Sequence, residues 1–304
     1  MLAPIIVFAY NRPDHLRNTL EALSKNDLAD QSELTVFCDG PKEGASDVQQ
    51  AAIQEVRRVA HEKQWCKNVS VIESECNQGL ANSIIAGVTS VIEEYGRVIV
   101  LEDDIVTSRG FLKYMNDALD TYESEERVMH VSGYMYPHKG NLPETFFCAL
   151  PLCWGWATWK RAWSFFEDDA QKWIDYYEKN GLWDRFNVFG GNILQKQLID
   201  NAKGVIRTWF VKWHSSVLFH DGLALFPGVS LVDNIGMDGT GVHCSSSGSF
   251  SNGILADYVQ VKRIPLKEDR KGRNAIRHFY QGYWYSKRNR RKLLNAIKSL
   301  FFSR

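Results

Sequence analysis

Arg97-Val98-Ile99-Val100-Leu101-Glu102-Asp103-Asp104 is a short apolar run that ends in three consecutive carboxylates. Four adjacent apolar residues, two of them valine and one isoleucine, read as a strand buried on both faces. Such a strand delivers its last residues to the edge of a sheet. Three neighbouring acids repel one another, and the arrangement is costly unless a cation neutralises them. Hard divalent ions of the Mg²⁺ type take one or two carboxylates together with phosphate oxygens of a substrate. The competing reading is a solvated acidic turn, and the position at a strand end favours the cation site.

On either side of this stretch the chain alternates. Pro4–Ala9, Glu33–Cys38, Val69–Glu73, Arg97–Leu101 and Val128–Ser132 read as strands. Between them, Pro13–Lys25, Val48–Lys63, Leu80–Glu94 and Phe111–Tyr122 carry apolar residues at helical spacing, with Pro13 suited to a first helical position. Strand–helix alternation with short joins predicts an α/β fold with a mostly parallel sheet flanked by helices. Ligands of such open sheets bind outside the carboxyl ends of the strands. Asn11-Arg12, Asp39, Asn77-Gln78-Gly79 and Glu102–Asp104 all fall there.

Beyond about residue 140 the pattern changes. Leu152–Trp163 is dense in tryptophan and contains Trp154-Gly155-Trp156; helical stretches follow at Asp169–Lys179 and Ile193–Ala202. Trp209–His243 reads as short apolar segments with glycine turns. With no repeat and no low-complexity linker, one composite domain is expected. It divides into a nucleotide-binding half (1–135), a Trp-rich half (136–260) and a basic helical tail (261–304).

The 304 residues are 44% hydrophobic and 24% charged, and the formal net charge is zero. Charge is unevenly spread: from Lys262 to Arg304 there are fourteen Lys/Arg and two acidic residues, a tail of +12 on a body of −12. Arg288–Lys292 precedes Leu293, Leu294, Ile297, Leu300, Phe301 and Phe302, a pattern suited to an anionic membrane surface. A basic helix docked on the acidic body fits the same residues. Confinement of the surplus basic charge to the tail argues against nucleic acid. The six cysteines form no CxxC pair, which disfavours a zinc site and suggests reduced thiols in a cytoplasmic protein. No run reaches the ~18 apolar residues of a membrane span. Walker A, GxGxxG and GxSxG patterns are absent.

Three further features qualify as site candidates. Asp39 either caps the turn Asp39-Gly40-Pro41 or accepts hydrogen bonds from a base or ribose. Gly79 permits close backbone approach or a positive φ. The Gly-rich stretch Asn234–His243 ends in an imidazole competent to ligate a metal.

The ordered set Ile6–Pro13, Cys38-Asp39-Gly40, Asn77–Leu80 and Val100–Asp104 resembles the nucleotide-sugar half of GT-A (Rossmann-like) glycosyltransferases. EDD in place of the usual DxD is similar to the N-acetylglucosaminyltransferase I-like group, and Trp154-Gly155-Trp156 with Trp163 resembles that group's acceptor-side segment. Pro227–His243 resembles bacterial members that build surface polysaccharides; the likeness spans about residues 4–245. It implies a metal-dependent transfer from a nucleotide-diphosphate sugar, with UDP the expected nucleotide and Mn²⁺ or Mg²⁺ the ion. The acceptor would be a hydroxyl of a glycan; it is the basic tail that suggests a lipid-linked one, met at the inner face of the plasma membrane. Ala9, Tyr10, Arg12 and Asp39 would hold the nucleoside, and Asn77 and Gly79 would lie near base or diphosphate. Asp104 would ligate the metal, Glu102 and Asp103 would touch ribose or metal-bound water, and His243 would meet metal or diphosphate. An inverting member needs an acceptor-side carboxylate as base. Asp168, Asp169, Asp184 and Asp200 are the candidates, with Asp200 favoured because it lies on a helix just before Trp209–Trp213. The rivals are a sugar-phosphate nucleotidyltransferase, for which Asn11–Asp14 is a poor phosphate loop, and a non-catalytic carbohydrate-binding protein.

Overall fold

The computed structural model describes residues 1–187, 191–237, 250 and 254–282. His243 and the tail from residue 283 lie outside the described residues. The first half alternates as its periodicity predicts, with one short strand, β5, that the periodicity does not show: β1 (Ile5–Ala9), α1 (Pro13–Ser24), β2 (Glu33–Cys38), α2 (Asp47–His61), β3 (Asn68–Glu73), α3 (Leu80–Tyr95), β4 (Arg97–Glu102), β5 (Ile105–Thr107), α4 (Phe111–Thr121) and β6 (Val128–Ser132). The second half continues with β7 (Thr145–Cys148), β8 (Trp156–Trp159), α5 (Lys160–Trp163), α6 (Ala170–Asn180), α7 (Trp183–Phe186), α8 (Ile193–Ala202), α9 (Phe210–Phe219), β9 (Leu223–Pro227) and β10 (Val232–Asn234).

Eight strands form one sheet in the order β3-β2-β1-β4-β8-β6-β9-β7, and β5 pairs with β10 in a separate antiparallel ribbon. β1 to β4 are mutually parallel, as are β6 and β9. β8 is antiparallel to both β4 and β6, so β6 points the same way as β4. Side chains of the central strands alternate between two layers. Ile5, Val7, Ala9, Ile99 and Leu101 pack with α1, α2 and α4 through Leu16, Leu20, Val56, Phe111 and Met115. Ile6, Phe8, Val98 and Val100 pack with α3 through Ala81, Ile84, Val88 and Ile92. A sheet covered on both faces explains why its strands read as apolar runs. This is the GT-A arrangement, with the carboxyl ends of β1, β2 and β4 on one edge.

Two readings of the second half need correction. Trp154-Gly155-Trp156 was expected on the acceptor side, yet Trp156 begins the central strand β8 and is fully buried. Trp156 stacks on Trp209 at 4.9 Å, and Trp163 packs on Trp213 at 5.1 Å, so these four rings fill the core beneath α3. The segment from Trp209 was expected to be short apolar pieces; residues 210–219 instead form α9, buried along Val211–Leu218. Buried all round, α9 shows no polar face, and its interior Lys212, His214, Ser215 and Ser216 disguise it in sequence. The beginning of the tail follows the second of its two readings, a basic helix docked on the body. Residues 270–282 are helical, Ile276 is fully buried, and the Tyr280 and Tyr136 hydroxyls lie 2.7 Å apart.

Candidate active site

The acidic triplet sits where its strand predicts. Glu102 closes β4 opposite Phe8 of β1 and is half-buried, while Asp103 and Asp104 are buried. The turn is pinned from α1 by the Thr19 hydroxyl, which donates to the Asp103 carbonyl at 2.8 Å. It is pinned from the second half by the Ile235 N–H, which donates to the Asp104 carbonyl at 2.9 Å. The β5–β10 ribbon sets that contact, because its register places Asn234 opposite Ile105, the residue after Asp104. Asn234 then accepts the Gly236 N–H at 2.9 Å and folds the backbone over the triplet. A Cβ at position 236 would overlap Asp104 Oδ2 and lie 2.7 Å from Arg12 Nη1. A side chain at 236 would have to push the Asp104 carboxylate or the Arg12 guanidinium aside. The Gly-rich stretch is the sequence signal for this roof, but the residue it singles out by chemistry is His243, not Gly236.

The cation that three adjacent acids require is supplied in part by the chain itself. Arg12, at the N-cap of α1, donates to Asp103 and, at 2.9 Å, to Asp104 Oδ2. Burial disfavours the guanidinium charge, but Asp103 and Asp104 outweigh it and raise the pKa further. Arg12 was expected to hold the nucleoside; in the structure it faces the triplet. Glu102 is pushed above the usual carboxylate range by burial and by its neighbours Asp104 and Asp103. Asp103 is pushed up by burial, against the opposing pull of Arg12.

Asp39 and the Asn77–Gly79 loop are brought together. Asp39 Oδ1 accepts the backbone N–H groups of Gly40 and Gln78 at 2.9 and 2.8 Å. Its Oδ2 accepts Asn77 Nδ2 at 2.9 Å and the Gly79 N–H at 3.0 Å. The Asp39 N–H itself donates to the Ala9 carbonyl at 2.9 Å, tying β2 to the end of β1, where Tyr10 follows. Asp39 therefore organises the loop, the capping role that the sequence offers beside nucleoside contact. Gly79, at φ 76°, turns the chain into α3.

The base candidates lie on separate elements. Asp168 is gripped by Arg207 at 2.7 Å and by the buried Lys212. Burial works against its charge, yet these two cations hold its pKa below the ordinary value. Arg207 also donates to Asn82 Oδ1 at 2.9 Å, linking this cluster to the first turn of α3. Asp169 caps α6, accepting the Gln171 N–H at 2.9 Å. Asp184 is exposed on the one-turn α7. Asp200 is paired with Lys196 one turn away on α8.

Among the described residues no group of three or more His, Cys, Asp or Glu side chains is arranged to hold a metal ion. Asp104 nevertheless fits one. Its Oδ1 is buried and has no hydrogen-bond partner among the described residues, and it is a hard oxygen donor. Mg²⁺-type ions are bound through one or two carboxylates, with substrate phosphates and water completing the shell.

Residues 5–134 match the family described as Glycosyl transferase family 2. No curated protein matches the chain. Among solved structures, a crystal structure of S. aureus TarS is similar at 19% identity and a TM-score of 0.32. That likeness covers 48% of this chain and 24% of that one, so the chain spans about a quarter of the length of the structure it matches. The matched residues 5–134 hold β1 to β6 and the acidic triplet, so the likeness to glycosyl transferase family 2 takes in the candidate site.

Proposed function

We propose that the protein transfers a sugar from a UDP-linked donor to a hydroxyl of a glycan acceptor, with inversion and with Mn²⁺ or Mg²⁺ bound at Asp104. The observation that carries this reading is the buried, unpartnered Asp104 Oδ1 under the Gly236 roof, at the carboxyl edge of the strands in the stretch that matches family 2. The ion would be held by Asp104 together with donor phosphate oxygens, and His243 is proposed to meet the same group. When bound, it supplies positive charge against the departing diphosphate. Ala9, Tyr10 and the loop that Asp39 pins would receive the nucleoside. Glu102 and Asp103 would border ribose or metal-bound water.

The acceptor oxygen attacks the anomeric carbon as the bond to the diphosphate breaks, and a carboxylate of the second half takes the hydroxyl proton. Asp200 is the proposed base. Among the described residues Asp200 has a single exposed cation partner, Lys196, whereas Asp168 is held by two, Arg207 and Lys212, which despite burial keep its pKa below the ordinary value and make it the poorer proton acceptor. The second half, residues 136–260, is proposed to bind the acceptor, a lipid-linked glycan of bacterial surface polysaccharide synthesis. The basic tail supports attachment to an anionic membrane from the cytoplasmic side. No described helix is long and apolar enough to cross a membrane.

Titration calorimetry of UDP in Mn²⁺ tests the site. Asp104→Asn should lower UDP affinity at least about tenfold, the loss of one charge-assisted contact or more. Unchanged UDP affinity in the presence of metal would sink the assignment.

A further inference from the structure

We propose that Arg12 and the divalent ion compete for Asp104, and that the donor diphosphate relieves the competition by drawing Arg12 off the carboxylate. The inference rests on the metal-dependent reading above. Arg12 bonds both Asp103 and Asp104, and the Asp104 oxygen it takes is the one beneath Gly236. The roof leaves no room there for a Cβ, let alone a hydrated ion beside the guanidinium. The free oxygen, Oδ1, belongs to the same carboxylate. An ion held there lies within a few ångströms of a fixed positive charge, and like charges at that distance in a partly buried site repel strongly.

A diphosphate changes the balance. Its oxygens match the forked donors of arginine and offer the guanidinium a second anionic partner. Arg12, on the N-cap of α1, keeps 19% of its side chain exposed, which leaves it within reach of a ligand from solvent. Nucleotide and ion then bind with positive coupling, and by linkage each tightens the other equally. The device keeps the acidic triplet neutralised when no donor is present.

The test measures Mn²⁺ binding to the full chain by calorimetry or by the electron paramagnetic resonance of free Mn²⁺, with and without UDP. Without UDP, Arg12→Gln should bind Mn²⁺ about tenfold more tightly than wild type, the effect of removing one like charge. Arg12→Lys should stay within about threefold of wild type, because the charge remains. UDP should tighten Mn²⁺ binding less in Arg12→Gln than in wild type. Arg12→Met keeps the aliphatic stem and serves if Arg12→Gln melts early. Mn²⁺ affinity that is equal or weaker in the charge-removed proteins overturns the inference alone. Absence of Mn²⁺ binding by every protein, with and without UDP, overturns the metal-dependent reading and the inference with it.

Discussion

At the scale of single residues, the site depends on what is missing at position 236. A methyl group there would meet the Asp104 carboxylate and the Arg12 guanidinium, and one of them must shift. Gly236→Ala must displace either the carboxylate or the loop, and misplacement of a catalytic group by about 1 Å can cost about a hundredfold in rate. Donor turnover should therefore fall by about that factor. The melting temperature should move by only a few degrees, because position 236 lies beyond β10 rather than in the core. Full activity in Gly236→Ala would show that the loop stands clear of the ligand. Asp104 and Arg12 were both legible in sequence, Asp104 from its strand end and Arg12 from the resemblance. Their direct pairing was not, since the two are 92 positions apart and only the β1–β4 pairing brings them together.

At the scale of elements, Asp39 is the fastening of a loop. Four donors converge on one carboxylate, three of them backbone N–H groups that have no other acceptor in a helix or strand. Asn in its place presents an NH₂ group to donors and leaves at least one of them unpaired. Asp39→Asn should cost about 1–3 kcal/mol, with amide exchange accelerated at Gln78 and Gly79. Exchange as slow as wild type at both amides would refute the fastening role. The elements of the first half were readable to within a residue or two because each is regular and one-sided or fully apolar. α9 was not readable, because a helix buried on every side and carrying Lys212 and His214 inside has neither a strand's alternation nor a helix's stripe. β8 was misplaced for a related reason: its tryptophans suit a ligand surface and a core equally well, and composition does not distinguish them.

At the scale of the whole molecule, two histidines tie stability to pH. His130 accepts the Trp213 indole N–H on Nδ1 at 3.2 Å and meets the Leu152 carbonyl with Nε2 at 2.9 Å. A second proton would place a donor on Nδ1 facing another donor. Burial lowers the His130 pKa from 6.5 to about 3 and that of His214 to about 4. The unfolded chain therefore binds more protons than the folded one below about pH 6.5. This contribution is fully present above that value and is lost as pH falls toward the folded pKa, by up to about 1.4 kcal/mol per pH unit for each histidine. Glu102 and Asp103, with raised pKa values, run in the opposite sense and are common to any His130 variant. In urea unfolding, the stability of wild type minus that of His130→Gln should shrink as pH drops from 7 to 5. A difference that does not change with pH would contradict the neutral, buried histidine.

The place of β8 has a consequence for how the chain is made. Among the described residues, 156–159 are the strand that joins β4 to β6 in the sheet, and they emerge from the ribosome after both. Until then the edge of β4 that will receive Trp156–Trp159 has unpaired backbone groups beside the acidic turn, an open template for a neighbouring chain. A fragment that stops at residue 134 spans the whole family match and lacks β8. The sheet of the first half is thus completed only after the Trp-rich half has begun, and an unpaired edge exposed over that interval favours association between nascent chains.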